Sequence, residues 1–273
     1  MLPATAGFIG GRLAPVNTPP DGSKVLPEVP PRAPREPVQR WRLVLARDAI
    51  PAESAQREQL STWETAFAGS GLPLAGLDAP KPRPRFAIAA PLAATIPGEA
   101  ELLDIWLVER QPAWRVREAL GASLPVGWRL VDAYDVWLGE AALPGRVVAS
   151  VYRAVLESGS MDTPRLADAA SLLLAAHSLP RERRKGDNVI AYDLRPFVDD
   201  VEVIESDGAT AVRMTLRHDP EKGVGRPEEL LAALGEALGA SLRPVSLVRE
   251  RLVLGDPPAP PAPAARRRPA ARG

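Results

Sequence analysis

The stretch FVDDVEVIESDGATAVRMTLR, residues 197–217, decides the fold. Apolar and polar residues alternate on both sides of Asp207-Gly208, and that dipeptide is typical of two-residue hairpin turns. The stretch therefore predicts two antiparallel strands, at about Phe197–Glu205 and Thr210–Arg217.

Helical patterns flank this hairpin. Upstream, Asp162 or Thr163 is expected to cap a helix that has Pro164 in its first turn. Downstream, Pro227 begins a helix whose leucines recur every three or four residues. Together with the other strands the order is βαββαβ, with one additional strand. Those other strands are expected at Val147–Leu156, Val189–Leu194 and Leu242–Leu254.

Residues 39–142 show the same order of elements. Trp41, Leu43 and Leu45 alternate with Arg42 and Val44, which predicts a half-buried strand with Arg42 on its solvent face. The repeated order predicts an α+β protein with tandem ferredoxin-like (βαββαβ) domains and antiparallel sheets, one at 39–142 and one at 143–254. The remaining elements of the first unit are helices from about Glu53 to Gly69 and from Pro112, and strands at Arg85–Ala89, Leu102–Val108 and Trp128–Leu138.

Both ends of the chain are rich in proline, of which the sequence contains 31 residues. Residues 1–38 and 255–273 lack a sustained apolar period, so we predict disordered arms there. No apolar run approaches the roughly 20 residues that cross a bilayer. We therefore expect a soluble, cytoplasmic protein.

Charge and composition exclude several classes of function. The chain has 34 Lys and Arg against 34 Asp and Glu, so any contact with nucleic acid needs a local basic patch. The absence of cysteine excludes disulfides, zinc ribbons, thiolate nucleophiles and cysteine-held iron–sulfur clusters. With only two histidines, a histidine-rich metal site is also excluded. We predict no cofactor and no metal.

In each of the two predicted domains, a basic cluster follows the first helix. If the domains are equivalent, these clusters form two cationic loops at matching corners, which can hold a phosphate backbone without reading its sequence. The alternative is that they are ordinary solvated loops. Arg195 lies two residues after Asp193, and either pairs with it or contacts a ligand. The predicted contact residues are Lys81, Arg83, Arg85, Arg181, Arg183, Arg184, Lys185 and Arg195.

The sequence indicates no catalytic group. His177 falls on the apolar face of its helix, which favours a core histidine, and His218 follows a strand, where we expect an exposed side chain. The acidic residues Glu99, Glu101 and Asp104 have no fixed ligand spacing that would favour magnesium. We therefore assign no catalytic residue.

Several short sequence motifs, taken in order along the chain, resemble those of one family. They are Gly71-Leu-Pro-Leu-Ala75, Lys81-Pro-Arg-Pro-Arg-Phe86, Ala90-Pro-Leu92, Gly98-Glu-Ala-Glu101, Asp104, Val151-Tyr152, Asp193-Leu-Arg-Pro196 and Gly225-Arg-Pro-Glu-Glu-Leu-Leu231. Together they resemble the radical-SAM-linked domain family, a domain of unknown function that is encoded beside, or fused behind, B12-binding radical SAM proteins. The resemblance implies a radical SAM protein as partner. The histidine-containing phrases usual in that family are absent at 52–55 and 81–85.

Three hypotheses of function remain open. The first is a radical-SAM-associated accessory protein, non-catalytic, that binds RNA such as tRNA or rRNA and presents it to its partner. The second is a protein–protein adaptor that binds no nucleic acid. The third is an RNA-processing or RNA-modifying enzyme that uses His177 or His218. The sequence leaves the oligomeric state undetermined.

Overall fold

A computed structural model describes residues 34–49, 60–157, 162–186, 188–206 and 208–256 of the 273-residue chain. These residues contain four α-helices and eleven strands. The helices are α1 (Leu60–Gly69), α2 (Ala113–Ser123), α3 (Thr163–Ala175) and α4 (Pro227–Leu238). The strands are β1 (Gln39–Arg47), β2 (Phe86–Ile88), β3 (Gly98–Leu107), β4 (Trp128–Val136), β5 (Val147–Leu156), β6 (Pro180–Lys185), β7 (Asn188–Asp193), β8 (Val198–Ser206), β9 (Ala209–Asp219), β10 (Gly223–Val224) and β11 (Pro244–Leu254).

The first four strands form an antiparallel N-terminal strand set in the order β4-β1-β3-β2. Side chains of β1 alternate between its two faces. Trp41, Leu43 and Leu45 point toward α1 and α2 and pack in a core that includes Phe67 and Leu120. We call the opposite face of this set, which carries the even-numbered side chains of β1, the outer face.

The C-terminal strand set has the order β11-β5-β9-β8 and is also antiparallel. Its core lies against α3 and α4 and contains Leu166, Leu173, Leu230 and Leu234. The two sets meet where Arg249 of β11 pairs in parallel with Gly98 of β3. Through this contact the strands form one nine-stranded, largely antiparallel sheet, which confirms the predicted α+β class.

The predicted hairpin is present, since Ser206 pairs with Ala209 across a two-residue connection. Gly208 has a φ of 77°, which is a left-handed conformation that glycine adopts without strain. Asp207 lies outside the described residues. Strand β5 spans Val147–Leu156 as predicted.

One strand was missed by sequence reasoning. We expected residues 180–185 to form a loop, but they form β6, which pairs with β7 in a separate two-stranded sheet. The sequence Pro-Arg-Glu-Arg-Arg-Lys has no apolar alternation, so it carries no strand signal. A small sheet outside the main one does not need an apolar face. The predicted cationic loop of the second half is therefore a strand.

The predicted arms fall mainly outside the described residues, at 1–33 and 257–273. Residues 34–38, which we had assigned to the first arm, contact the folded part. Arg35 pairs with Asp78 and Glu109, and the amide of Val38 donates to the carbonyl of Leu107. In the described part of the chain, no helix has the length and apolar character needed to cross a membrane.

Candidate functional site

Three basic residues lie in the segment that leads into β2. Lys81, Arg83 and Arg85 are all exposed, whereas Pro84 between the two arginines is buried. We call these three residues the cationic row. None of them forms an ion pair with a carboxylate in the described part of the chain. The row is therefore a set of positive charges that the folded chain does not neutralise locally.

Backbone hydrogen bonds fix the position of this row. The Arg83 amide donates to the Gly76 carbonyl at 3.1 Å, and the Arg85 amide donates to the Ala75 carbonyl at 2.8 Å. On the other side, the Trp106 amide of β3 donates to the Arg85 carbonyl at 3.3 Å. The segment thus extends the edge of the sheet, which limits the conformational entropy that its residues would lose on binding.

Gly76 makes this anchoring possible. Its φ is 89°, and a Cβ atom at this position would lie 2.3 Å from the Arg83 carbonyl oxygen. Any larger residue would therefore meet backbone, which cannot rotate away as a flexible side chain could. Sequence reasoning identified the row but not Gly76, because the contact depends on backbone seven residues away.

Trp106 contacts the row and also a buried arginine. The guanidinium of Arg85 lies 4.7 Å from the centre of the indole, and that of Arg40 lies 4.9 Å from it. Both distances are typical of cation–π contacts. The exposed Arg85 side chain is thereby held on the outer face rather than extended freely into solvent.

Beneath the outer face, Asp104 binds two arginines. Arg40 donates to it from Nε at 2.9 Å and Nη2 at 2.5 Å, and Arg42 donates from Nε at 2.9 Å and Nη2 at 3.1 Å. All three side chains are buried. Although burial opposes the charge on Arg42, its pKa is held above the ordinary value by Asp104 and Glu140. Arg42, which we expected to face solvent, is instead part of this buried cluster.

The three acidic residues considered for magnesium are each bound by arginine. Asp104 is described above, Glu99 accepts from Arg153 at 2.6 Å, and Glu101 accepts from the Nε of Arg249 at 2.8 Å. Arg249 is buried and also donates to the carbonyl of Pro91 at 3.0 Å. These acids therefore belong to ion pairs, and those of Glu99 and Glu101 join the two strand sets.

The second basic cluster differs from the first in structure. Arg181 on β6 pairs with Glu236 of α4 at 2.7 Å, so its charge is neutralised locally. The side chains of Arg183, Arg184 and Lys185 lie outside the described part. Whether they act together with the cationic row stays a prediction.

The Arg195 side chain is bound by backbone carbonyls of the protein itself. Its guanidinium donates to the carbonyls of Leu174, Ala176 and Val198 at 2.7, 3.1 and 2.7 Å. Two of these carbonyls lie at the end of α3, where backbone acceptors lack helical partners. Asp193 accepts the backbone amide of Arg195 at 2.9 Å, so the two residues meet in a turn rather than along a strand.

Both histidines differ from their expected environments. Helix α3 ends at Ala175, so His177 lies beyond it and is exposed rather than in the core. His218 is half-buried, and its Nε2 lies 2.8 Å from the Ser150 hydroxyl oxygen. Burial, together with the charge of Arg249, holds the pKa of His218 below its ordinary value of 6.5.

Comparison with known proteins identifies the family. The model of a family described as "Uncharacterized protein conserved in bacteria (DUF2344)" matches residues 54–227. The chain belongs to this family. The family's description names no activity and no partner. No curated protein matches the sequence.

Two solved structures are similar in fold at low sequence identity. One is the crystal structure of a Cbf5-Nop10-Gar1 complex, with a TM-score of 0.44 and 11% identity over 78% of this chain. The other is the archaeal box H/ACA sRNP Nop10-Cbf5 complex, with a TM-score of 0.40 and 12% identity over 78% of this chain. In both cases the match covers 48% of the other chain.

Proposed function

We propose that this member of the family is a non-catalytic accessory protein that binds RNA, and that the cationic row is its phosphate contact. The observation that carries the proposal is the set of three exposed basic side chains that lack a carboxylate partner among the described residues. Unpaired basic groups attract polyanions even when the net charge of a protein is zero.

The spacing of the row suits a phosphate backbone. Alternate residues of an extended segment project to the same side about 6.6 Å apart, because the rise per residue is about 3.3 Å. Arg83 and Arg85, on either side of the buried Pro84, therefore present their charges to one side, and Lys81 adds a third charge at the bend before them. Such contacts position a nucleic acid without reading its sequence. We accordingly expect binding that depends on charge and salt.

The context of the proposal comes from the family resemblance of the quoted phrases. We propose that the partner is a radical SAM protein and that the RNA, such as tRNA or rRNA, is the substrate presented to it. This chain has no cysteine to hold an iron–sulfur cluster, so radical chemistry would have to reside in the partner.

We further propose that residues 39–142 and 143–254 are two ferredoxin-like units. The order of strands supports this, since in each set the first strand lies between the third and the fourth. Under this proposal Arg183, Arg184 and Lys185 provide a second phosphate contact. Arg181 contributes less, because Glu236 already binds it.

Filter binding to a single-stranded RNA and to a tRNA, over a series of salt concentrations, tests the proposal. For single strands the slope of log K against log salt is about −0.7 for each phosphate contacted. The Arg83→Ala/Arg85→Ala double variant should weaken binding and make the slope less negative by about 1.4. Its fold should be unchanged, because both side chains are exposed.

A matched control has the same loss of charge elsewhere on the surface. Arg165 and Arg243 are exposed and form no ion pair within the described residues. The Arg165→Ala/Arg243→Ala variant should retain the wild-type slope. Equal slopes for the two double variants, or wild-type binding that does not depend on salt, would contradict the proposed role of the row.

A further inference from the structure

An exposed tryptophan lies immediately after β4. The Trp137 side chain is 77% exposed, although its indole is one of the largest apolar groups in the chain. Its carbonyl accepts the Glu140 amide at 3.0 Å, which closes a turn. A Cβ atom on Gly139 would lie 2.8 Å from the indole, so the ring rests against the backbone of this turn. The ring is therefore held in place while most of its surface stays open.

The turn that carries Trp137 lies on the outer face. Arg40 donates from Nη1 to the Glu140 carbonyl at 2.6 Å and from Nη2 to the Ala141 carbonyl at 3.1 Å. Because Arg40 is buried and bound to Asp104, it fixes the turn on the sheet. The position of Trp137 is thus determined by a buried contact as well as by the local turn.

The same face carries Arg85 of the cationic row. The backbone carbonyl of Arg85 accepts the Trp106 amide. Trp106 lies opposite Arg40 on the next strand, and Arg40 lies opposite Val136 on the strand after that. These residues lie in line across four adjacent segments, so Arg85 and Val136 are separated by about 14 Å, or three strand spacings. A chain of a few nucleotides that binds the row can therefore reach Trp137.

A shallow cavity of about 410 Å³ lies beside Trp137. Arg110 is exposed at its edge and forms no ion pair within the described residues. Asp135 also lines it and accepts from the Nε2 of Gln39 at 2.9 Å. Because Asp135 lies opposite Trp41, its side chain is on the helix-facing side of the sheet and not on the outer face. The cavity thus combines an aromatic plane with a cation.

We propose that an unpaired base of single-stranded RNA stacks on Trp137. Indole rings stack with any base, and guanidinium groups bind phosphate. Arg110 is then the phosphate contact. This inference rests on the proposed function and adds a preference for unpaired over duplex RNA, since the bases of a duplex are already stacked.

Binding to two RNA probes tests the preference. The probes are an unstructured 12-nucleotide RNA and a 16-base-pair RNA duplex. Trp137→Ala should weaken binding of the single strand roughly 10-fold, since the loss of one base stack costs about that much. Its affinity for the duplex and its salt slope on the single strand should not change. Trp137→Phe should restore most of the lost affinity.

Trp114 provides a matched control, because it is 64% exposed and lies on α2. Trp114→Ala should bind both probes as wild type does. Arg110→Ala is an independent variant that should weaken single-strand binding and make its slope less negative by about 0.7. Thermal unfolding of each variant checks that the fold is retained.

The outcomes separate this inference from the proposed function. If Trp137→Ala binds the single strand as wild type does, or loses equal affinity for both probes, base stacking on Trp137 is wrong. The cationic row is then still supported if Arg83→Ala/Arg85→Ala changes the salt slope. If wild type binds neither probe, the proposed function fails, and the stacking proposal is rejected with it. If Trp137→Ala loses affinity for the single strand only, the result supports both the proposed function and base stacking on Trp137.

Discussion

The arginines of the cationic row and the buried arginines of the sheet differ in what their guanidinium groups contact. Arg83 and Arg85 are exposed and pair with no carboxylate among the described residues. Arg40, Arg42 and Arg249 are buried, and each is bound to Asp104 or Glu101. The same residue type is thus free to bind an external anion in one place and is fully engaged within the protein in the other.

This difference explains how a chain with zero formal net charge can present a basic surface. A carboxylate that is buried beside arginine contributes little to the field outside the protein, because its charge is compensated within a few ångströms. An arginine without such a partner contributes its full charge. The balance of 34 basic and 34 acidic residues therefore does not describe the surface around the row.

The largest expected effect comes from removing the buried carboxylate. Asp104→Asn would leave Arg40 buried without a counter-charge and Arg42 with Glu140 alone, which should destabilise the protein by about 3–5 kcal/mol. The measurement is the free energy of unfolding in urea. If the buried arginines are held as described, this variant should also loosen the turn that Arg40 binds.

An exposed ion pair provides the control for this prediction. Asp132 pairs with Arg117 at 2.7 Å, and both side chains are about half exposed. Asp132→Asn should cost no more than about 1 kcal/mol. If Asp104→Asn costs no more than Asp132→Asn, the buried arginines do not depend on Asp104, and the contrast with the row disappears.

A smaller effect is expected where the row is anchored. Gly76→Ala would place a Cβ atom against the Arg83 carbonyl in a left-handed backbone conformation. The cost should be about 1–3 kcal/mol of stability, as for other strained positions. The segment should also move away from the sheet, so RNA affinity should fall even though no charge is lost. Urea unfolding and filter binding measure the two effects.

Gly121 in α2 is the matched control, because a Cβ atom there would meet nothing within 4 Å. Gly121→Ala should stabilise the protein by about 0.5–1 kcal/mol, since alanine is the better helix former. Unchanged stability and RNA affinity in Gly76→Ala would show that the row does not need this anchor.

The alternation of apolar residues predicted most of the sheet and the inward face of β1, at Trp41, Leu43 and Leu45. It did not predict that Arg42, on the other face, is buried. The connection between β4 and β5 covers that face and supplies Glu140, which lies almost 100 residues further along the chain. The alternation of residues within β1 contains no information about a distant segment that packs over one of its faces. For the same reason, the sequence alone did not show that Arg181 pairs with a carboxylate whereas Arg85 pairs with none among the described residues.

Helix length and long-range packing explain why the environments of the two histidines differ from those expected. The helical period extends through His177, but α3 ends at Ala175, so its apolar face does not continue. His218 follows an apolar strand and was expected in solvent, yet its ring reaches Ser150 on β5. Trp137 and Arg110 had no recognisable signal, because their proximity depends on the pairing of β1 with its two neighbouring strands.

The smallest effect concerns the pH dependence of stability, to which His218 contributes through its burial and through the neighbouring charge of Arg249. Burial and Arg249 favour the neutral form of His218 in the folded protein, so the pKa is lower than in the unfolded chain. Below about pH 6.5 the unfolded chain binds the proton more readily, and stability should therefore decrease as the pH falls. In His218→Asn, whose side chain does not titrate, the decrease between pH 7.5 and pH 5.5 should be smaller, as measured by urea unfolding. His177→Asn, at an exposed position, should follow the wild type. If wild type and His218→Asn lose equal stability over this range, burial and Arg249 do not lower the pKa of His218 in the folded protein.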